Sequence, residues 1–154
     1  MHKKLLFVLF LYISNFAGAQ VVYPYEDIKL EKPSDYIETE QMALSAANYL
    51  LGTPFKSGNT ARNGALKFVC MWMEGNKKYD FYIKGMAADI SSDGDLGGLY
   101  LSAMTKYTLE NKAQAVNPKT VEQHAAKIII AYCDDSKNNF KLKKKYRKIL
   151  ETTN

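Results

Sequence analysis

The sequence predicts a single all-α domain of four to five helices. Three observations carry that expectation. Apolar residues recur at i, i+3, i+4 and i+7 through several segments of 15 to 18 residues. Most of those segments open on a capping residue and close on Gly or Asp. Only one short stretch, Lys77 to Ile83, alternates as a strand would, and no partner strand is evident.

The first 19 residues read as a secretory signal peptide. Met1-His2-Lys3-Lys4 is basic, Leu5 to Ile13 is an unbroken apolar run, and Ala17-Gly18-Ala19 offers small residues for cleavage before Gln20. Nine apolar residues are too few to span a bilayer, which takes about 20. The expected product is exported, periplasmic or secreted, with no transmembrane span after cleavage. It has 135 residues, enough for a self-supporting core.

Residues 20–35 form an expected extended arm with Pro24 and Pro33. Residues 36–154 then form the helical domain. The first helix runs from Ser34 or Asp35 to Leu51, with Gly52 suited to a left-handed cap and Pro54 as a stop. The second starts at Asn59 or Thr60 and ends at Gly75. It is apolar nearly all round (Leu66, Phe68, Val69, Cys70, Trp72, Met73), so it is the expected central helix. Residues 84–94 read as a connection. The third helix spans Asp95 to Glu110, where Gly97 and Gly98 either admit a neighbouring helix closely or delay the start. Asn117-Pro118 opens the fourth, which ends near Asp134. Ser136 to Thr152 forms a basic C-terminal helix with Leu142, Tyr146, Ile149 and Leu150 on its apolar edge.

The formal net charge of +5 conceals a split. From Ser136 onward there are seven basic residues and one acid, a net +6; from Gln20 to Asp135 the balance is −3. Lys141, Lys143, Lys144, Lys145, Arg147 and Lys148 can meet lipid headgroups, an acidic glycan or an acidic protein. The bland alternative is a solvated final helix that complements its own dipole or docks on the acidic body. Nucleic acid is not an expected partner of an exported chain.

Two cysteines exclude a disulfide-dense scaffold. Cys70 and Cys133 are a candidate disulfide between the second and fourth helices; two separate buried thiols are the alternative. No cofactor or metal site is expected. Asp89 to Asp95 imitates the start of a calcium loop, but Tyr100 stands where the bidentate Glu belongs. Nor is a catalytic residue assigned. A single histidine, His124, follows the signal segment, and no G-x-S-x-G elbow is present. Glu74 and Asp80 are a possible carboxylate pair for a cell-wall or glycan hydrolase.

The stretch Arg62-Asn63-Gly64-Ala65-Leu66-Lys67-Phe68-Val69-Cys70-Met71-Trp72-Met73-Glu74-Gly75, followed by Tyr79-Asp80-Phe81 and later Tyr132-Cys133, resembles small exported proteins of Bacteroidota with no established activity. That resemblance implies a helical fold and transfers no catalytic residue. A looser, architectural likeness runs to periplasmic immunity proteins of type VI amidase toxins. The expected function is therefore a non-enzymatic binding module. Its partner, an exported protein or an anionic envelope surface, would meet the basic tail or an aromatic groove at Trp72, Tyr79, Phe81 and Tyr82. An immunity or inhibitor protein and, less well supported, a hydrolase are the alternatives.

Overall fold

A computed structural model describes residues 24–81 and 83–152. The expected signal peptide and Tyr82 lie outside these residues. Among them the fold is all-helical, with seven α-helices rather than four or five: α1 (Pro33–Glu38), α2 (Glu40–Gly52), α3 (Thr60–Gly75), α4 (Met86–Ser91), α5 (Gly94–Glu110), α6 (Pro118–Asp134) and α7 (Lys144–Glu151). Short 3-10 turns cover Tyr25–Asp27 and Ser136–Asn138.

The extra helices come from breaks that local propensity did not mark. The expected first helix divides at Thr39, whose ψ of 7° leaves the helical region and whose hydroxyl donates to the Asp35 carbonyl at 2.6 Å. Asp35 caps α1 from inside it. Its carboxylate accepts from the backbone N–H groups of Glu31 (2.9 Å) and Lys32 (3.1 Å), and these bonds are the main reason it is held below its ordinary pKa. Within residues 84–94, the expected connection, Gly85 turns at φ 55° and starts α4. The alternation from Lys77 to Ile83 forms no strand; Asn76 bends the chain by accepting from the N–H groups of Lys78 (2.8 Å) and Tyr79 (3.2 Å). At the C-terminus the expected single helix is interrupted by Asn139, left-handed at φ 54°, so α7 is only eight residues long.

The central helix is α5, not α3. Twelve of its 17 residues are buried, and it packs against α2, α3, α4 and α6. Its glycines admit those neighbours. A Cβ on Gly97 would sit 2.8 Å from the Ser91 backbone of α4, and one on Gly98 would sit 2.7 Å from the Leu66 side chain of α3. Asp93 caps α5 at the Leu96 N–H, and Asn117 caps α6 at the N–H groups of Lys119 and Thr120.

The position of α5 also overturns the disulfide. α3 and α6 pack on it separately, and both cysteines are free and half-buried. Burial raises both thiols, Cys133 to about 11. A shared apolar character showed that each cysteine faces protein, not that they face each other.

Gly52 takes no left-handed cap. The carbonyls at the end of α2 are met instead by Arg62 of α3, a residue only 6% exposed. Its Nη2 donates to the Leu50 carbonyl at 3.0 Å, and its Nη1 donates to the Thr53 carbonyl at 3.2 Å and hydroxyl at 2.6 Å. The residue four beyond Leu50 is Pro54, which has no N–H to offer that carbonyl. Tyr132 of α6 donates to the same Thr53 carbonyl at 2.8 Å, so one loop fastens α2, α3 and α6 together.

Candidate functional site

A cleft opens at the C-terminal end of α3. Its apolar lining is Cys70 and Met73 of α3, Leu101 of α5, and Phe81 and Ile83 of the loop that follows α3. Its rim is Glu74, Lys77, Lys78, Tyr79 and Asp80, with Asn76 at the bend. The volume is about 660 Å³. Helix α3 supplies one wall because Gly75 ends it against the Tyr36 ring, where a Cβ would overlap the hydroxyl at 1.9 Å. The chain therefore leaves α3 there and doubles back over its last turn.

Two devices hold the 76–81 loop in place. Underneath is Trp72, fully buried, with its indole N–H donating to the Tyr36 carbonyl at 2.9 Å. Tyr79 and Phe81 pack on it, with ring centroids at 6.1 and 5.9 Å. On the outside is Glu40, at the start of α2. One of its oxygens accepts from Lys78 Nζ (2.8 Å) and the Tyr79 hydroxyl (3.0 Å); the other accepts from Lys112 Nζ (2.5 Å), in the segment after α5. Burial pushes the Glu40 carboxyl up, but the bonds from Lys112, Lys78 and Tyr79 together outweigh it. The group stays below its ordinary pKa.

Asn76 is the one polar side chain of the cleft that is almost wholly buried, at 6% exposure. Its Oδ1 accepts two backbone N–H bonds, which fixes the orientation of the amide. Its Nδ2 is left with no acceptor. An unpaired buried donor costs about 1–3 kcal/mol.

The residues singled out from sequence thus separate. Tyr79 and Phe81 line the cleft, and so do Glu74 and Asp80. Trp72 is core: it supports the loop from behind and presents no surface to a partner. Asp89 lies in α4, and Asp93 is a helix cap that pairs with Lys143, so the calcium-like segment is a turn between helices. Among the described residues no group of three His, Cys, Asp or Glu side chains could hold a metal ion. His124 stacks flat on Tyr107 at 4.2 Å.

The basic tail is fastened to the body. Tyr146 and Leu150 are buried, Lys143 donates to Asp93 at 2.6 Å, and Arg147 donates to Asp134. Those partners hold both aspartates below their ordinary pKa. Lys141, Lys144, Lys145 and Lys148 remain exposed. Most of these lysines lie at the N-terminal end of α7, so they oppose its dipole rather than complement it.

Sequence reasoning missed Glu40, Asn76, Leu101 and the place of Cys70 in the cleft. The Asn after Gly75 was a readable turn signal; the other three become neighbours only through tertiary packing. No family model, curated protein or solved structure matches the chain.

Proposed function

We propose that the protein is an exported, non-catalytic binding module whose ligand site is the cleft between α3, α5 and the 76–83 loop. The observation that carries this reading is one cleft that joins an apolar lining (Cys70, Met73, Phe81, Ile83 and Leu101) to a charged rim (Glu74, Lys77, Lys78 and Asp80). Its volume falls in the range of about 300–1,000 Å³ usual for small-molecule sites. The ligand has an apolar body to cover Met73, Phe81 and Leu101, and a polar end, a carbonyl or carboxylate, to meet the lysines of the rim, Lys77 and Lys78. The Glu40 latch and the Trp72 support keep the loop in place before binding, which lowers the ordering cost.

The experiment is an NMR screen of the purified chain with N-acetylated leucine, phenylalanine and their amides as probes. Saturable shifts at Asn76, Phe81 and Leu101 are expected. Shifts confined to other surfaces, or none at millimolar probe, would overturn the assignment.

One observation favours a second reading, a glycan hydrolase: Glu74 and Asp80 line the same cleft. Glu74→Gln and Asp80→Asn separate the two. The hydrolase needs both carboxyls for turnover of a peptidoglycan or chitooligosaccharide substrate, whereas the binding module shows no turnover and retains probe binding in either variant.

A further inference from the structure

We propose that the outward face of α7, with the residue Lys141 that precedes the helix, is an electrostatic docking surface for anionic lipid headgroups. The face is defined by what α7 buries. Tyr146 and Leu150 turn into the protein, and Lys144, Lys145 and Lys148 are left exposed on the opposite side. Two further basic residues are already committed to the body: Lys143 to Asp93 at 2.6 Å, and Arg147 to Asp134 and, at 3.6 Å, to Glu151. Those pairs fasten the helix and fix the direction in which the other lysines point. None of Lys141, Lys144, Lys145 and Lys148 has an ion pair with a carboxylate among the described residues. Asp93 senses Lys145, and Asp95 senses Lys143, through space.

This arrangement works against the isolated fold. Lys144 and Lys148 are like charges one helical turn apart. Lys144 and Lys145 sit in the first turn, at the positive end of the dipole. An external anion relieves both repulsions. The form of the patch selects the anion. Its charges are ammonium groups, not the planar forks that match a fixed carboxylate or phosphate bidentately. The aromatic ring nearby, Tyr146, is buried beneath Lys145, whose Nζ lies 4.4 Å from the ring centroid, so no ring is offered for stacking on a sugar or base. Compact point charges on flexible stems fit a fluid sheet of headgroups that rearrange to meet them.

Flotation with vesicles tests this. The full chain is mixed with phosphatidylcholine vesicles containing one-third phosphatidylglycerol, and with phosphatidylcholine alone. The variants are K141Q/K144Q/K145Q/K148Q and, as an off-face control, K67Q/K119Q/K127Q, each checked for native helicity. Binding is expected only to the anionic vesicles, to fall about fivefold for each lysine removed from the face, and to vanish in about 1 M salt, where the screening length is about 3 Å. The off-face control binds within about twofold of wild type. Equal loss in both variants would reduce the effect to net charge and overturn the proposal. So would undiminished binding of the α7 variant, or tight binding to a soluble sulfated polysaccharide with no partition to vesicles.

Discussion

Replacing Arg62 by methionine tests the frame that holds α2, α3 and α6 together. Methionine keeps the length and apolar stem and removes the guanidinium. Three hydrogen bonds go: to the Leu50 carbonyl (3.0 Å), the Thr53 carbonyl (3.2 Å) and the Thr53 hydroxyl (2.6 Å). The Thr53 carbonyl keeps the Tyr132 hydroxyl at 2.8 Å. The Leu50 carbonyl keeps nothing from its own helix, because Pro54 has no N–H. A hydrogen bond from a charged donor contributes about 1.5–3 kcal/mol, and a stranded buried acceptor costs about 1–3 kcal/mol. Methionine restores part of the packing on Phe55, over whose ring the guanidinium lies at 5.6 Å. The net expectation is a loss of about 2–4 kcal/mol, a large share of the roughly 5–15 kcal/mol that holds a domain folded. Arg62→Lys keeps the charge without the fork and falls between the two. Urea unfolding followed by fluorescence of Trp72, the sole tryptophan and fully buried, reads the change directly. Stability of Arg62→Met within about 0.5 kcal/mol of wild type would refute the reasoning, since surface substitutions away from such features fall in that range.

Three further outcomes are expected. Gly97→Ala pushes a Cβ into the Ser91 backbone and destabilises by about 1–3 kcal/mol, whereas Gly64→Ala, a helical site with open space around it, stabilises by up to about 1 kcal/mol; denaturation midpoints of the pair check both signs. Glu40 has a folded pKa below its unfolded value of about 4.5, so its contribution is complete above that pH and is lost as pH falls through the lower folded value. The stability gap between wild type and Glu40→Gln, about 1 kcal/mol at pH 7 because both lysines are half-exposed, should narrow as pH falls below about 4.5 and close once Glu40 is protonated in the folded protein. A thiol assay on the denatured, unreduced protein should count two free cysteines; none would restore the bridge between α3 and α6.

The helices that announce both ends were legible. Asn117-Pro118 and the Val121, Ala125 and Tyr132 stripe marked the start of α6 and its end near Asp134, and Asn59 and Gly75 bounded α3. Legibility failed where one segment's ending is supplied by another. Gly52 looked like the cap of α2, but its carbonyls are satisfied by an arginine in the next helix. Apolar residues nearly all round pointed to α3 as central, yet α5 is deeper, because its small residues at Gly97, Gly98, Ser102 and Ala103 let helices close around it. Part of the site was visible as chemistry without geometry. Tyr79, Phe81, Glu74 and Asp80 do share a cleft, but Trp72 looked like their surface companion and is their buried support. Glu40 is 39 residues from Tyr79 in sequence, and no local pattern joins them.

The central claim is that the α3–α5 cleft is a ligand site. Its most direct test is the affinity of the best N-acetyl amino acid probe for wild type and for Leu101→Trp, which fills the cleft from the α5 side. At least a tenfold loss is expected in Leu101→Trp, about 1.4 kcal/mol, with probe binding unchanged when the exposed lysines of α7 are replaced. Equal affinity in wild type and Leu101→Trp would contradict the claim.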